Sequence, residues 1–303
     1  MSLWRLSLEL ESPLGTPLTS ATVFGHVCWA VHRGDGEAAL VDWLARLRSG
    51  EVTFRVSDAF PEGMLPRPML RPQPPREDLP TAATDALKHA RKQRWIRRNS
   101  WLEHRASFDE RRLVQVLATA PATSAVHARN RIDRHTGTTP VDGGGLWFVE
   151  DDWSHGHAPL RDLYVETDMA GDRVAALLDE VGAEGYGRDA TYGRGRFRVR
   201  ECAREEELRA HDGERLMSLS HGCLDPAMVA PRYERFTHFG KVGFALAART
   251  GRPFKRPVLV MKPGATFAAG PGPFGRLLSG VHQDDERVLH DAQHITIPFT
   301  EAA

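Results

Sequence analysis

The chain has 303 residues, 41% apolar and 26% charged, and its 40 Lys/Arg balance 40 Asp/Glu, so it is not a generic basic coat for nucleic acid. That length exceeds the roughly 100 to 200 residues of a usual domain and predicts two medium domains, while 20 prolines and 27 glycines predict long functional loops. Cys28, Cys202 and Cys223 stand alone with no CxxC pair, which excludes a zinc ribbon, disfavours a disulfide framework and predicts a reducing, cytoplasmic setting.

Trp4, Leu6, Leu8 and Leu10 alternate with polar residues as in a half-buried strand, which the Pro13 and Gly15 loop ends. Thr19 or Ser20 can cap a helix through about Trp29, and a second helix over Glu37 to Leu47 precedes a strand at Val52 to Val56. Seven prolines between Pro61 and Pro80 halt regular structure, and the basic stretch ALKHARKQRWIRRNSW that follows reads equally as a helix or a hairpin arm. Strands are expected at Val114 to Leu117 and Leu146 to Glu150, with a domain boundary in WSHGHAP. Leu160 to Thr167 reads as a strand, Asp172 to Val181 as an amphipathic helix, and Phe197 to Val199 as the start of the next strand. Further strands are expected at Leu216 to Leu219, Phe239 to Leu246, Val258 to Met261 and His294 to Phe299. The repeated β, α, β order predicts an α+β chain of two ferredoxin-like (RRM-type) domains in tandem, residues 1–152 and 153–303.

The opening MSLWRLSLELE lacks the pattern of a signal peptide, and no apolar run approaches the roughly 18 residues of a membrane span, so no membrane contact is expected. GYGRDATYGRGRF, Gly185 to Phe197, formally contains a dinucleotide fingerprint. Yet it follows a helix and enters a strand, the reverse of the order that fingerprint needs. His290 and His294 lack the Glu of a zincin helix, and Ser220 lacks a nucleophile elbow, so no metal, cofactor or catalytic triad is expected.

Three basic stretches carry the positive signal. In the glycine loop, Arg188, Arg194 and Arg196 offer phosphate contacts, while Tyr186 and Tyr192 can stack on unpaired bases. Lys88 to Arg112 holds nine Lys/Arg against three acidic residues, with Lys88, Arg91, Arg94, Arg97 and Arg98 around Trp95. In HARNRIDRHTG, Arg129, Arg131 and Arg134 can follow a phosphate backbone, and His127 and Asn130 can read base edges. The alternative for each stretch is a solvated loop or helix face.

SPLGTPLTSATVFGHVCWAV, SDAFPEGMLPRP, HARNRIDRHTG and the glycine loop, in this order, resemble the RAMP superfamily of CRISPR systems, and most closely its fourth-subunit family of type III-A Csm effector complexes. LMSLSHG, RYERFTHFGKVG and VLVMKPGATF extend the resemblance over nearly the whole chain. It implies a non-catalytic subunit that grips the crRNA 5' handle and contacts both the large Cas subunit with palm domains and a backbone RAMP subunit. It also implies a hairpin thumb, over about residues 81–125, that reaches target RNA in the guide duplex. Carried onto this chain, Ser20, Thr22, Gly25 and His26 form the N-terminal motif, and Gly187, Gly193 and Gly195 allow close RNA approach in loop 185–195, whose amides would share in neutralising handle phosphates. The rival expectation is a metal-independent RAMP endoribonuclease that processes CRISPR repeat RNA, with His26 or His127 as general acid or base.

Overall fold

The structure, a computed structural model, describes residues 1–71, 92–110, 113, 117–118, 124–140, 145–152, 159–268 and 270–302. In chain order the elements are β1 (Ser2–Leu10), α1 (Ser20–Asp35), α2 (Glu37–Ser49), β2 (Phe54–Val56), β3 (Phe60–Pro61), β4 (Met64–Pro66), β5 (Trp95–Arg97) and α3 (Arg98–His104). Next come β6 (Leu117–Ala118), β7 (Ser124–Asn130), β8 (Leu146–Asp152), β9 (Leu160–Thr167), α4 (Gly171–Glu184) and β10 (Phe197–Arg204). The last part holds β11 (Arg215–Ser218), β12 (Val229–Arg232), β13 (Arg235–His238), α5 (Phe244–Thr250), β14 (Val258–Met261), β15 (Thr266–Ala268), β16 (Gly275–Leu278), β17 (His290–Gln293) and β18 (Thr296–Phe299).

The main sheet runs β10-β1-β9-β2, with β3 also on β9, and every pairing is antiparallel. With α1 and α4 as crossovers this is a βαββαβ ferredoxin-like layer. Both expected βαβ patterns are therefore halves of one sheet: Ser2 to Glu9 pairs with Thr167 to Leu160 across the expected 152/153 boundary, which does not separate two sheets. A second antiparallel sheet, β12-β15-β11-β18, follows in tandem, within the expected α+β class.

The alternation in β1 has a physical outcome on each face. Leu6, Leu8 and Leu10 meet the apolar stripes of α1 and α4, including Val23, Phe24, Val27, Leu177 and Val181. Leu3, on the opposite face, joins a second core with Tyr164, Phe60, Met217, Ile297 and Phe299, between the main sheet and the second one. The main sheet is thus covered on both sides. This explains why β9 is buried along nearly its whole length.

The expected thumb, residues 81–125, falls partly outside the described residues. Its described part, β5 and α3, is packed: Ile96, Trp101 and Phe108 are fully buried in the second core. A two-stranded ribbon follows, where β7 and β8 pair as a separate sheet. Residues 239–246 are not a strand as expected; β13 ends at His238 and α5 begins at Phe244. Gly251, in the left-handed region, stops that helix. No helix among the described residues is long and apolar enough to cross a membrane.

Candidate nucleic-acid interface

The glycine loop leaves α4 and returns into β10 folded back upon the turn that precedes α1. Tyr186 is fully buried, and its hydroxyl donates to Pro17 O at 2.9 Å and accepts from Thr19 N at 3.3 Å. Gly187 N donates to His26 Nε2 at 3.2 Å, and Arg188 N donates to Thr16 Oγ1 at 2.9 Å. Gly187 adopts φ +74°, and a side chain there would meet Thr16 Cβ at 2.6 Å. Gly195, at φ +71°, donates to Pro13 O at 2.9 Å and accepts from Tyr186 N at 2.9 Å, so a methyl group would strike the Tyr186 backbone.

The β7–β8 ribbon docks on this loop through charge. Arg194 pairs with the fully buried Asp151, Arg129 Nη1 donates to Asp189 Oδ2 at 3.1 Å, and Arg188 Nη2 donates to Glu150 O at 3.3 Å. Opposite strand faces differ: His127, Arg129 and Val149 turn inward, while Val126, Ala128, Asn130, Leu146 and Phe148 are exposed.

On its other side α1 meets the segment around β13. Thr22 Oγ1 lies 3.4 Å from His238 Nε2, and a side chain at Gly243 would run into the Trp29 ring. Thr22, Gly25, His26 and Trp29 follow helical spacing, so this face of α1 floors a channel between the glycine loop and the β13 segment. The space above Gly25 is open. The glycine loop and the β13 segment, far apart in sequence, thereby meet on one helix.

Several expected contacts are corrected by this packing. Ser20 is fully buried, its N donating to Asp58 Oδ1 at 3.0 Å and its Oγ to His221 O at 3.2 Å, so it joins α1 to the second half of the chain. Tyr186 cannot stack on a base because its ring is in the core, 4.7 Å from the His26 ring. Arg194 is spent on Asp151, and Arg98 on Glu205 at 2.9 Å and on Glu207. Trp95 packs edge-on against Phe60, with centroids 5.9 Å apart. The amides expected to cradle phosphate are already engaged, since the N–H groups of Gly187, Arg188, Tyr192, Gly193, Arg194 and Gly195 all donate within the protein.

What remains available is a set of cations and one ring. Tyr192 is 79% exposed; Arg131, Arg134 and Arg196 are exposed, and Arg188 is half exposed. Arg196 also donates to Ala183 O at 2.6 Å, and Asn130 donates to Thr139 Oγ1 at 3.3 Å. Gly193 leaves its surroundings open. Arg94 and Arg97 are exposed beside β5, whereas Lys88 and Arg91 lie outside the described residues. Asp151 and Asp189, which aim the arginines, are absent from the expected site; the Glu150–Asp152 run of acids and the Asp inside the glycine loop are the available signal.

His26 has its pKa pushed down to about 4, first by burial and then by Arg33. It is a neutral acceptor for Gly187 N. His127 Nε2 faces Asp151 at 3.8 Å.

The architecture is an α+β fold built on a ferredoxin-like layer. Among solved structures it matches, at 15% identity and a TM-score of 0.63, a chain of the crystal structure of a Csm1-Csm4 cassette in complex with pppApA, covering 99% of this chain and 98% of that one. The same cassette with one ATP matches at 16% identity and TM-score 0.62 over all of both chains. A Csm3-Csm4 subcomplex of the type III-A CRISPR-Cas interference complex matches at 13% and 0.57 over 99% of each. At such identities the likeness is one of fold, from end to end. No protein-family model and no curated protein matches the sequence.

Proposed function

We propose that this chain is a non-catalytic, RNA-binding subunit of a type III-A CRISPR effector complex of the Csm kind. In this reading it holds the single-stranded 5' handle of crRNA along the α1 channel, beside a large palm-domain subunit and the first backbone RAMP subunit. The observation that carries it is a chain of contacts: the glycine loop folds onto the N-terminal motif through His26, the β7–β8 ribbon docks on that loop, and Arg131, Arg134, Arg188 and Tyr192 are left outward. Exposed guanidinium groups suit phosphates, and an exposed phenol ring suits an unpaired base.

The thumb role falls on the β7–β8 ribbon, whose Val126, Leu146 and Phe148 are 65%, 58% and 69% exposed and supply an apolar wedge for a guide–target duplex. The non-catalytic reading is supported by His26, which is neutral near pH 7 and has Nε2 occupied, so it is poorly placed to deliver a proton. Affinity of the full chain for a crRNA-handle oligonucleotide tests the reading. Alanine at Arg131, Arg134 and Arg188 together should weaken binding and flatten its salt dependence, by about 0.7 in slope for each phosphate no longer neutralised. Unchanged affinity and slope overturn it. Metal-free cleavage of repeat RNA, abolished by His26→Ala, would establish the endoribonuclease instead.

A further inference from the structure

Residues 232–256 carry seven Lys/Arg against a single acid, Glu234. Three of those cations are paired on the surface: Arg232 with Glu301, Arg249 with Asp285 and Arg252 with Asp284. Lys255 turns inward, its Nζ donating to Leu289 O at 2.7 Å. Lys241 and Arg256 are exposed and form no ion pair among the described residues.

Their placement follows from a short antiparallel ladder. Lys255 N donates to Gly240 O at 2.8 Å, Val242 N donates to Pro253 O at 2.9 Å, and Lys241 stands opposite Phe254. Phe239 and Arg256 flank that bridge, each two residues from Lys241 or Phe254, and both are exposed. Because side chains alternate across extended backbone, Phe239, Lys241, Phe254 and Arg256 share one face, and Gly240 and Lys255 the other. Phe239 is 69% and Phe254 59% exposed, and Lys241 Nζ lies 5.1 Å from the Phe254 ring centre. Two open rings and two cations are therefore gathered around this bridge.

Such a face is costly to leave in water and has the chemistry of a stacking platform with phosphate partners. It also belongs to the segment that walls the α1 channel through His238 and Gly243. The geometry points to a second single-stranded RNA contact here, in which bases stack on Phe239 and Phe254 and phosphates pair with Lys241 and Arg256. This inference rests on the RNA-binding reading of the α1 channel and extends the RNA path onto the second half of the chain.

Fluorescence anisotropy of the full chain with a labelled single-stranded oligouridine tests it. Replacing Phe239 and Phe254 by alanine should weaken binding at least about thirtyfold, since each of the two stacked bases contributes about 1 kcal/mol or more. Phe254→Trp should retain it. Lys241→Gln with Arg256→Gln should lower the salt slope by about 1.4. All four positions are exposed, and unaltered thermal unfolding of the variants verifies the fold. Wild-type affinity and slope in both double variants overturn the inference and leave the face to a protein partner. If, in that case, the Arg131, Arg134 and Arg188 variant still loses binding, only this second RNA site falls; if the unaltered chain binds no RNA, both readings fall.

Discussion

Gly193 and Gly195 share a left-handed backbone, φ +81° and +71°, but only Gly195 is enclosed. Gly193→Ala should therefore cost only the left-handed penalty of about 1–2 kcal/mol. Gly195→Ala adds overpacking against Tyr186 and should cost about 2–4 kcal/mol in all, read as the difference between the two urea midpoints. The two tyrosines of the loop divide in the same way. Tyr186→Phe strips a partner from Pro17 O and Thr19 N and should cost about 1–2 kcal/mol of stability with RNA affinity unchanged. Tyr192→Ala should leave the urea midpoint in place and weaken RNA binding. Composition alone marks both residues as stacking candidates; only the fold separates them, because burial depends on the Pro13 to Thr19 turn, distant in sequence.

At the scale of elements, the docking of the β7–β8 ribbon depends on unequal ion pairs. Asp151 is fully buried against Arg194, so Asp151→Ala strands a buried guanidinium and should cost about 3–5 kcal/mol. Asp189→Asn removes the charge of a partly exposed pair while keeping a residue that tolerates the left-handed backbone at φ 63°, and should cost less than about 1 kcal/mol. Hydrogen exchange at β7 and β8 should accelerate in the first variant and barely change in the second. An element with one strongly apolar stripe is legible in the sequence: α4 lies close to its expected range, since its period follows from one buried face. β7 is not legible, because Val126, Ala128 and Asn130 all face outward and impose no apolar alternation. The misread stretch is the reverse case: Val242, Phe244 and Leu246 alternate in sequence, yet residues 244–250 form a helix between Gly243 and Gly251.

For the whole molecule, the misplaced boundary and the acid response have one origin, the joining of sequence-distant segments. Local periodicity finds strands but cannot say that β1 pairs with both β9 and β10, so two halves of one sheet read as two domains. The second half is then fastened to α1 and β2 by buried polar groups: Ser220 Oγ donates to Val56 O at 2.9 Å, and His221 Nδ1 lies 2.6 Å from Asp58. Around these joints sit histidines whose imidazoles the fold keeps neutral. Burial, with neighbouring cations, pushes His26, His238 and His294 down to about 4 and His290 to about 3, from an ordinary value of 6.5. A histidine with a depressed folded pKa stabilises the protein above about pH 6.5 and loses that contribution as pH falls toward 4, because the unfolded chain takes up the proton first. Asp291 acts in the opposite sense: burial raises its pKa from 3.8 to about 7, so its contribution is full below about 4 and is lost as pH rises through 7. Four imidazoles oppose one such carboxyl over this window, with Asp162 also raised by burial. The urea midpoint should accordingly fall steadily between pH 7 and pH 4. Asp291→Asn should make the fall steeper by removing the opposing group, and His290→Leu should make it shallower. A midpoint that stays level over this range would show that the histidines are protonated in the folded chain and that the joints around α1 admit water.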